Sequence, residues 1–378
     1  MEKAAEQPNL PGPVRPHSVA GLEPLSLDFA APLCYDGFIT HKGGKIMRIL
    51  VLGGSKFVGW HMVQEAVARG HEVTLFNRGI SGGGAWPDLP QIHGDRGTDL
   101  HLLDGLTFDA VIDSSCWYQD HMRASAAYFA GKVKWYVYVS TLSVHDTAPE
   151  VIREDDPLPE IDLEGPQDPD SMYARYGAYK AGCEVIAQEA FGDQLTILRP
   201  GYICGYRDGT DRMSSWPIRM HFGDAVIYPE GDFPFQLIDA RDLAAFCLDA
   251  VEKRLNGPYI MVGPAEKLMF SEFLDICRRT VKPECRLLPL SPEALARHGL
   301  DSPGALARAF PLYSRGFPEY AGIFGGDNSK ALAAGLKCRP IAETVEAALR
   351  GFLERGDPAP VVGITPEREA EIVAAEGL

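Results

Sequence analysis

A tyrosine and a lysine four positions apart, Tyr176 and Lys180, begin a segment with helical spacing of its apolar residues (YGAYK). On a helix this spacing puts both side chains on one face, about 6 Å apart along the axis. A free tyrosine has a pKa of about 10, and lowering it by about two to three units takes roughly 3–4 kcal/mol. A lysine ammonium group in a partly dry cleft supplies energy of that order. The pair therefore predicts a proton donor, Tyr176, beside a cation that can also bind ribose hydroxyls.

Hydroxyl groups end a β-rich run just upstream, at Ser140 and Thr141 (KWYVYVST). A hydroxyl there can bind a substrate oxygen as negative charge develops on it. Other predicted strands end at a glycine-rich turn, at residues 113–115 and at Pro200. Ligands of open parallel sheets bind beyond the carboxyl ends of the strands, so we expect these segments, Ser114 and Ser115 included, to meet at one cleft.

The glycine-rich turn GGSKFVG, residues 53–59, stands directly between an apolar strand and a helix. Gly53 can turn the chain sharply, and Gly59 lets the helix approach the strand closely. The following helix offers backbone N–H groups and the positive end of its dipole to a pyrophosphate. A glycine trio is a weak signal alone, but its place in a βαβ unit predicts a dinucleotide site.

The end of the second predicted strand bears on which dinucleotide binds. NAD sites usually carry an acid there for the ribose 2′-hydroxyl. This chain has Asn77 and Arg78 instead, and Lys56 adds a second cation inside the glycine turn. Two cations without a carboxylate favour a 2′-phosphate, so NADP(H) is favoured over NAD(H); a solvated loop position is the alternative for Arg78. Asp95, after the third strand, is a candidate for the adenine end, with a turn residue as the alternative.

Alternating strand-like and helix-like segments from residue 47 onward position these groups. Apolar runs predict strands at 48–53, 71–76, 110–113, 134–140 and 195–198, and helical spacing predicts helices at 58–69 and 173–191. This order predicts an α/β fold, a Rossmann-type doubly wound parallel sheet. Residues 47–205 would form this core. Residues 206–378 would form mostly a smaller C-terminal substrate-binding lobe and closing helices, with one or more strands at about 236–262 returning to the core. Residues 1–46 would be an N-terminal extension, to which we assign no function.

The composition bears on possible partners. The chain has 378 residues and a net charge of −16 without a dense run of Lys or Arg, so we expect neither nucleic acid nor an anionic membrane as a partner. No stretch reaches the roughly 18 apolar residues of a membrane span. The eight cysteines include no CxxC pair, which predicts no metal site and a reducing, cytoplasmic location.

In this order, the segments GGSKFVG, NRG, VYVSTLSV, YGAYK and LRPG resemble the extended short-chain dehydrogenase/reductases, often labelled epimerase/dehydratase, over about residues 47–350. The resemblance is closest to an atypical branch that includes the chloroplast stem-loop-binding proteins. It implies that Tyr176 is the catalytic acid/base, Lys180 its partner, and Thr141 or Ser140 the donor to the substrate oxygen. It also implies pyrophosphate contacts from Gly53, Gly54, Lys56, Phe57 and Val58 with Ser55 between them, nicotinamide contacts from Pro200, Gly201 and Tyr202, and a substrate pocket closed by residues 239–242.

The chain also departs from the pattern of this family. Lys56 replaces the middle glycine of the turn, and Asn77–Arg78 replaces the ribose acid. Dehydratases of the group carry an Asp-Glu pair directly after the threonine, where this chain has Leu142 and Ser143. Elimination of water needs an acid and a base at the sugar, so dehydration is the least favoured of the family activities.

Three residues after the last core strand are candidates for the substrate: Arg207, Arg212 and Trp216. The arginines could bind an anionic or polyhydroxylated group, and the tryptophan could stack on a ring. Surface arginines and a tryptophan in the core of the lobe are the alternatives.

These residues together predict an NADP(H)-dependent oxidoreductase. It would transfer hydride to a ketone, or from a secondary alcohol, of a small polar substrate such as a sugar, a nucleoside or a natural-product intermediate. One alternative is a nucleotide-sugar epimerase that retains NAD(P); another is a non-catalytic cofactor-binding regulatory or RNA-binding protein. Relatives in the family that this chain resembles often pair through the Tyr176 helix and the one near residues 121–129, which implies a homodimer; polar positions there leave a monomer as the alternative.

Overall fold

The computed structural model describes residues 45–82, 84–145, 151–159, 161–163, 165, 167, 175–313, 324–357 and 359–378. The predicted N-terminal extension lies outside these residues except for its last two positions.

The strands are β1 (Arg48–Leu52), β2 (Glu72–Asn77), β3 (Gln91–His93), β4 (Ala110–Asp113), β5 (Trp135–Val139), β6 (Leu195–Pro200), β7 (Ile203–Cys204), β8 (Ala225–Pro229), β9 (Pro234–Asp239), β10 (Gly257–Met261), β11 (Gly263–Met269) and β12 (Arg286–Leu290). The helices are α1 (Phe57–Ala68), α2 (Gln119–Phe129), α3 (Tyr176–Phe191), α4 (Ser215–Phe222), α5 (Ala240–Lys253), α6 (Phe270–Val281), α7 (Pro292–Arg297), α8 (Pro303–Ala309), α9 (Ser329–Ala334), α10 (Ile341–Arg355) and α11 (Pro366–Glu376).

Seven strands form the central sheet, in the order β10-β6-β5-β4-β1-β2-β3, and every neighbouring pair is parallel. The predicted Rossmann-type sheet is therefore confirmed. Every residue of β4, β5 and β6 is buried. Continuous apolar runs suit such strands because helices cover both faces of a parallel sheet.

Two pairs of helices cover the two faces. Helices α1 and α5 bury residues such as Met62 and Phe246 against one face. Helices α2 and α3 bury Met122, Phe129 and Ile186 against the other. The candidate tyrosine and lysine therefore lie on a helix that packs directly on the sheet.

The C-terminal part contains a three-stranded sheet, β11-β9-β7, and a two-stranded sheet, β12-β8. Its core is aromatic, with Trp216, Phe235, Phe270, Phe273 and Phe310 fully buried. Within the segment expected to return to the core, β10 joins the central sheet beside β6, whereas β9 pairs in the smaller sheet.

Two element boundaries differ from the sequence-based expectation. Helix α3 begins at Tyr176 rather than 173; Arg175 precedes it, and residues 173 and 174 lie outside the described part. Strand β6 continues to Pro200 because β10 pairs with it as far as Met261. Among the described residues, no helix has the length and apolarity needed to cross a membrane.

Candidate active site

The carboxyl ends of β1, β4, β5 and β6 lie side by side at one edge of the central sheet. The glycine turn follows β1, and a Cβ atom on Gly53 would lie only 2.9 Å from the Ser114 Oγ. The hydroxyls of Ser114 and Ser115 both donate to the Leu52 carbonyl, at 3.2 and 3.1 Å. The structure thus brings the glycine turn and the two serines together, as the order of the strands requires.

The glycine turn leads into α1 at Phe57. Gly53 and Gly54 have φ angles of +105° and +87°, a backbone region that favours glycine. Lys56 has extended backbone at the N-cap, and its side chain makes no capping hydrogen bond. Ser55, Lys56, Phe57 and Val58 all keep exposed surface. An accessible helix N-terminus after two left-handed glycines fits a pyrophosphate group.

A loop that the sequence did not single out packs onto this turn. We call residues 79–89, of which the structure describes all but 83, the covering loop. The Trp86 Nε1 donates to the Gly54 carbonyl at 2.9 Å, and its ring stacks on Trp60 with centroids 5.1 Å apart. A Cβ atom on Gly82 would lie 2.7 Å from the Ser55 carbonyl oxygen. The covering loop is therefore in direct contact with the predicted phosphate-binding residues.

The residues expected to select the cofactor lie at the surface. The Asn77 Oδ1 accepts a hydrogen bond from the Gly79 backbone N–H at 2.8 Å. It also lies 3.1 Å from the His93 Nδ1. Arg78 and Lys56 are exposed. A solvated cation at this position does not by itself require a 2′-phosphate.

Asp95 has the geometry of a turn residue, because its Oδ1 accepts the Gly97 N–H at 2.8 Å. The next residue, Arg96, is buried and binds Asp113 through two hydrogen bonds of 2.8 and 2.5 Å. The Tyr136 hydroxyl donates to the same carboxylate at 2.7 Å. Burial alone would raise the pKa of Asp113, but Arg96 and Tyr136 hold it below its ordinary value. Asp113 therefore forms a structural ion pair beneath the two serines.

Tyr176 and Lys180 lie in the first two turns of α3. Lys180 is buried, and its Nζ donates to the carbonyls of Cys116 and Val139 at 2.7 and 2.6 Å. It also lies 4.3 Å from the centre of the Tyr138 ring. Lys180 thus joins α3 to the ends of β4 and β5, and Tyr176 remains partly exposed above them.

Ser140 and Thr141 follow β5 directly, and both are buried. The Thr141 hydroxyl oxygen accepts the Ser143 N–H at 3.2 Å, which leaves its hydrogen able to donate. The Ser140 hydroxyl is buried without a hydrogen-bond partner among the described residues. A buried hydroxyl without a partner carries a desolvation cost that a bound polar group would relieve. Both hydroxyls therefore suit the binding of a substrate or cofactor oxygen.

Pro200 ends β6, and the Gly201 N–H donates to the Met261 carbonyl at 3.2 Å. The ring of Tyr202 contacts that of Phe324 with centroids 5.4 Å apart. The exposed Arg212 lies over the Tyr202 ring, with its guanidinium carbon 4.8 Å from the ring centre. An exposed arginine therefore stands next to the predicted nicotinamide border.

The other two substrate candidates differ in accessibility. Arg207 is exposed and lies over the Trp60 ring, 4.8 Å from its centre. Trp216 has no exposed surface, and its Nε1 donates to the Pro311 carbonyl at 2.9 Å. Stacking on a substrate needs an accessible ring face, so the expectation that Trp216 contacts the substrate is not supported; it packs in the lobe.

The segment expected to close the substrate pocket forms an internal ion-pair network. Asp239 pairs with Arg241 at 2.7 Å, and Asp242 pairs with Arg339 at 2.6 Å. Arg241 also donates to the Glu343 carbonyl of α10 at 3.1 Å. These side chains connect α5 to α10. The ion pairs with arginine offset the cost of burying the Asp239 and Asp242 carboxylates.

Among the described residues of the C-terminal part, side chains border two of the cavities. The larger, of about 610 Å³, is bordered by β11 and α6. The smaller, of about 180 Å³, is lined by Phe235, Phe324 and Asn328 among others. Phe324 also contacts Tyr202, so the smaller cavity lies beside the predicted nicotinamide border, whereas neither is lined by Tyr176 or Lys180.

Sequence reasoning missed Trp117, which follows the end of β4. Its ring contacts the Tyr176 ring, with centroids 5.7 Å apart and planes at 64°. The available signal was an aromatic residue three positions after the predicted strand-end serine Ser114. Only the packing of α3 against this strand end brings the two rings together.

No protein-family model and no curated protein matches this chain. Solved structures do match it. The enzyme WbmG of Bordetella bronchiseptica in complex with NAD is 18% identical, with a TM-score of 0.59 over 83% of this chain and 96% of that one. UDP-glucuronic acid 4-epimerase of Bacillus cereus in complex with NAD is 16% identical, with a TM-score of 0.59 over 82% of this chain and 100% of that one. The terminal R domain of the myxalamid biosynthetic pathway is 21% identical, with a TM-score of 0.60 over 84% of this chain and 93% of that one.

The chain has the fold of the extended short-chain dehydrogenase/reductases. The resemblance drawn from the sequence is confirmed at this level, which is what identities near 20% show.

The expected preference for NADP(H) over NAD(H) is wrong. Structures that share the fold, including WbmG, WbmH and the glucuronic acid epimerase, are complexes with NAD or NAD⁺. The premise that failed is the inference from residue type, because Arg78 and Lys56 are both exposed and an exposed cation does not by itself select a 2′-phosphate. The alternative stated for Arg78, a solvated loop position, agrees with its exposure.

Proposed function

We propose that this protein is an NAD-dependent oxidoreductase that acts on a secondary alcohol or ketone of a nucleotide sugar, with epimerisation as the favoured outcome. The observation that carries the proposal is the position of Tyr176, Lys180 and Thr141 at the same sheet edge as the glycine turn. A proton donor, a cation and a hydroxyl beside a dinucleotide turn are the groups that reversible alcohol oxidation needs.

The turn fits a dinucleotide because Gly53 and Gly54 open the backbone at the start of α1. Its residues 53–58 would hold the pyrophosphate, with Asn77 near the ribose, Ser114 and Ser115 along the dinucleotide, and Pro200, Gly201 and Tyr202 beside the nicotinamide. When bound, NAD supplies the acceptor and donor of hydride.

The side chains of the chain move and stabilise the proton. Tyr176 would take the proton of the reacting hydroxyl and give it back, while Thr141 binds the same oxygen. Lys180 donates to the carbonyls of Cys116 and Val139 at 2.7 and 2.6 Å, so its ammonium group is fixed beneath the site, next to the residues to which the proposal assigns the proton transfer.

The covering loop favours epimerisation over reduction. An epimerase retains its cofactor through both hydride transfers, whereas a reductase exchanges it. Trp86 binds the Gly54 carbonyl and stacks on Trp60. The covering loop must therefore move before a cofactor can leave the glycine turn on the side that the loop covers. Reduction with exchange of NAD(H) is the second candidate, and the match to the myxalamid R domain is the observation that favours it.

A nucleotide sugar suits the surroundings of Tyr202. The exposed Arg212 over this ring can bind a diphosphate. Two of the matched proteins are epimerases of UDP-glucuronic acid and UDP-N-acetylglucosamine, and WbmG has also been solved with UDP. Leu142 and Ser143 stand where a dehydratase needs its acid and base, which argues against dehydration.

The proposal is tested in two steps. Nucleotide released from the purified protein by heat is identified by chromatography, and we expect NAD. The protein is then incubated with UDP-glucuronic acid, UDP-N-acetylglucosamine or UDP-glucose without added cofactor, and the products are followed by NMR.

Tyr176→Phe should lower kcat by about 10²–10⁴-fold, because it removes the proton donor. Tyr128→Phe is the matched control, since it removes an exposed hydroxyl that bonds to Asp104 far from the site. A wild-type protein that binds no NAD, or a Tyr176→Phe variant with full activity, would refute the proposal. Turnover only with continuous addition of NADH would support the reductase instead.

A further inference from the structure

The exposed indole ring of Trp117 has no role in the proton chemistry above. All five tryptophans lie among the described residues, and Trp117, 41% exposed, is the most accessible of them. Trp135 and Trp216 are buried, and Trp60 and Trp86 stack on each other. Single exposed apolar side chains are common, so exposure alone assigns no role.

The position of Trp117 separates it from an ordinary surface residue. Its ring contacts that of Tyr176, with centroids 5.7 Å apart. A proton donor must touch the substrate oxygen, within about 2.6–3.2 Å between heavy atoms. Trp117 is therefore adjacent to the residue that a substrate of the proposed reaction must touch.

The turn that carries Trp117 is held on both sides. The carbonyl of Cys116 accepts hydrogen bonds from Lys180 at 2.7 Å and from the Tyr138 hydroxyl at 3.3 Å. The Cys116 thiol lies 3.5 Å from the Tyr118 carbonyl. Tyr118 in turn precedes α2 and contacts the Tyr179 ring of α3. The indole ring is thus presented to solvent by a fixed backbone, and binding to it would cost little ordering entropy.

We propose that Trp117 is a wall of the substrate pocket and stacks on the C–H face of the sugar ring that carries the reacting hydroxyl. This inference rests on the proposed function and specifies its substrate as a cyclic sugar rather than an open chain. An indole face is rich in electrons and flat, so it complements the apolar C–H face of a saturated ring. The hydroxyls at the rim of the sugar ring stay free to bind Tyr176 and Thr141.

The test compares Trp117→Ala and Trp117→Phe with the wild-type protein, using UDP-glucuronic acid and UDP-N-acetylglucosamine as probes. Trp117→Ala should raise KM roughly 10- to 100-fold by removing the apolar contact. Trp117→Phe keeps a smaller ring and should raise KM less. Phe222→Ala, which removes a 51% exposed ring from α4, is the matched control and should leave KM unchanged.

Fluorescence supplies a second readout that does not depend on turnover. Trp117 should dominate quenching by acrylamide, and a UDP-sugar should protect it, whereas UDP alone should protect it much less. Trp117→Phe should abolish this protection while the NAD content of the protein stays the same.

The outcomes separate the two proposals. If the wild-type protein holds NAD and converts a UDP-sugar, but both variants keep the wild-type KM, the wall is refuted and the proposed function stands. A fall in kcat with unchanged KM would mean that Trp117 only orients Tyr176. Loss of NAD from the variants would mean that the Trp117 ring lies against the cofactor. Either result overturns the inference. A wild-type protein without NAD and without turnover would overturn the proposed function and this inference with it.

Discussion

His61 lies on α1 with no exposed surface, so protonation of its ring should oppose folding. Its Nε2 is 2.8 Å from the Tyr206 carbonyl, and its Nδ1 is buried without a partner among the described residues. Burial lowers the pKa of His61 from 6.5 to about 4, although the Tyr206 carbonyl and Asp239 act in the opposite direction. Arg241 and Arg207 add to the lowering.

The sign of the pH effect follows from this shift. The folded pKa of about 4 lies below the unfolded value of 6.5, so the unfolded state binds more protons between these values. The contribution of His61 to stability is therefore present above pH 6.5 and is lost as the pH falls towards 4. With roughly 1.4 kcal/mol for each pKa unit, the free energy of unfolding should fall by about 2 kcal/mol between about pH 7 and pH 5.

Urea unfolding at pH 7 and pH 5 measures this difference, and His61→Gln supplies the comparison. Glutamine keeps an N–H donor for the Tyr206 carbonyl but does not titrate. The variant should lose about 2 kcal/mol less than the wild-type protein over this range. His101→Gln, at an exposed histidine, is the control and should follow the wild type. An unchanged pH dependence in His61→Gln would show that His61 is not the group whose protonation opposes folding.

Three further changes test the interior of the site. Asp113→Asn leaves Arg96 buried without its carboxylate and should lower the free energy of unfolding by about 3–5 kcal/mol in urea unfolding; an unchanged midpoint would contradict the buried ion pair. Gly59→Ala puts a Cβ atom 2.7 Å from the Gly54 nitrogen and should weaken NAD binding in titration calorimetry, whereas Gly209→Ala, with open space around it, should not. Trp86→Phe removes the hydrogen bond to Gly54 and should speed the release of NAD in stopped-flow fluorescence; release at the wild-type rate would show that the covering loop does not retain it.

Local sequence patterns predicted much of the fold. The apolar runs at β1, β4 and β5 and the helical spacing at α1 and α3 repeat at the periods of strands and helices, so they are visible without tertiary information. The glycine turn was equally clear, because positive φ angles at Gly53 and Gly54 require residues without a Cβ atom. The order of these elements is enough to place their strand ends at one edge of the sheet.

Charge at the strand end was a poor guide to the cofactor. The types of Arg78 and Lys56 suggested a phosphate site, but a residue type does not tell whether its side chain is solvated. Residue type was also a poor guide at Trp216, an aromatic residue in a polar segment that was expected to be accessible to substrate but is fully buried.

The sequence by itself determined the α/β fold, the glycine turn before α1 and the i, i+4 pair of Tyr176 and Lys180, because each depends on residues close together in the chain. Only the tertiary structure decided what these residues contact. Lys180 binds the Cys116 carbonyl across 64 positions, and Trp86 reaches Gly54 across 32. Such contacts depend on how helices and loops pack on the sheet, and no local period encodes that packing.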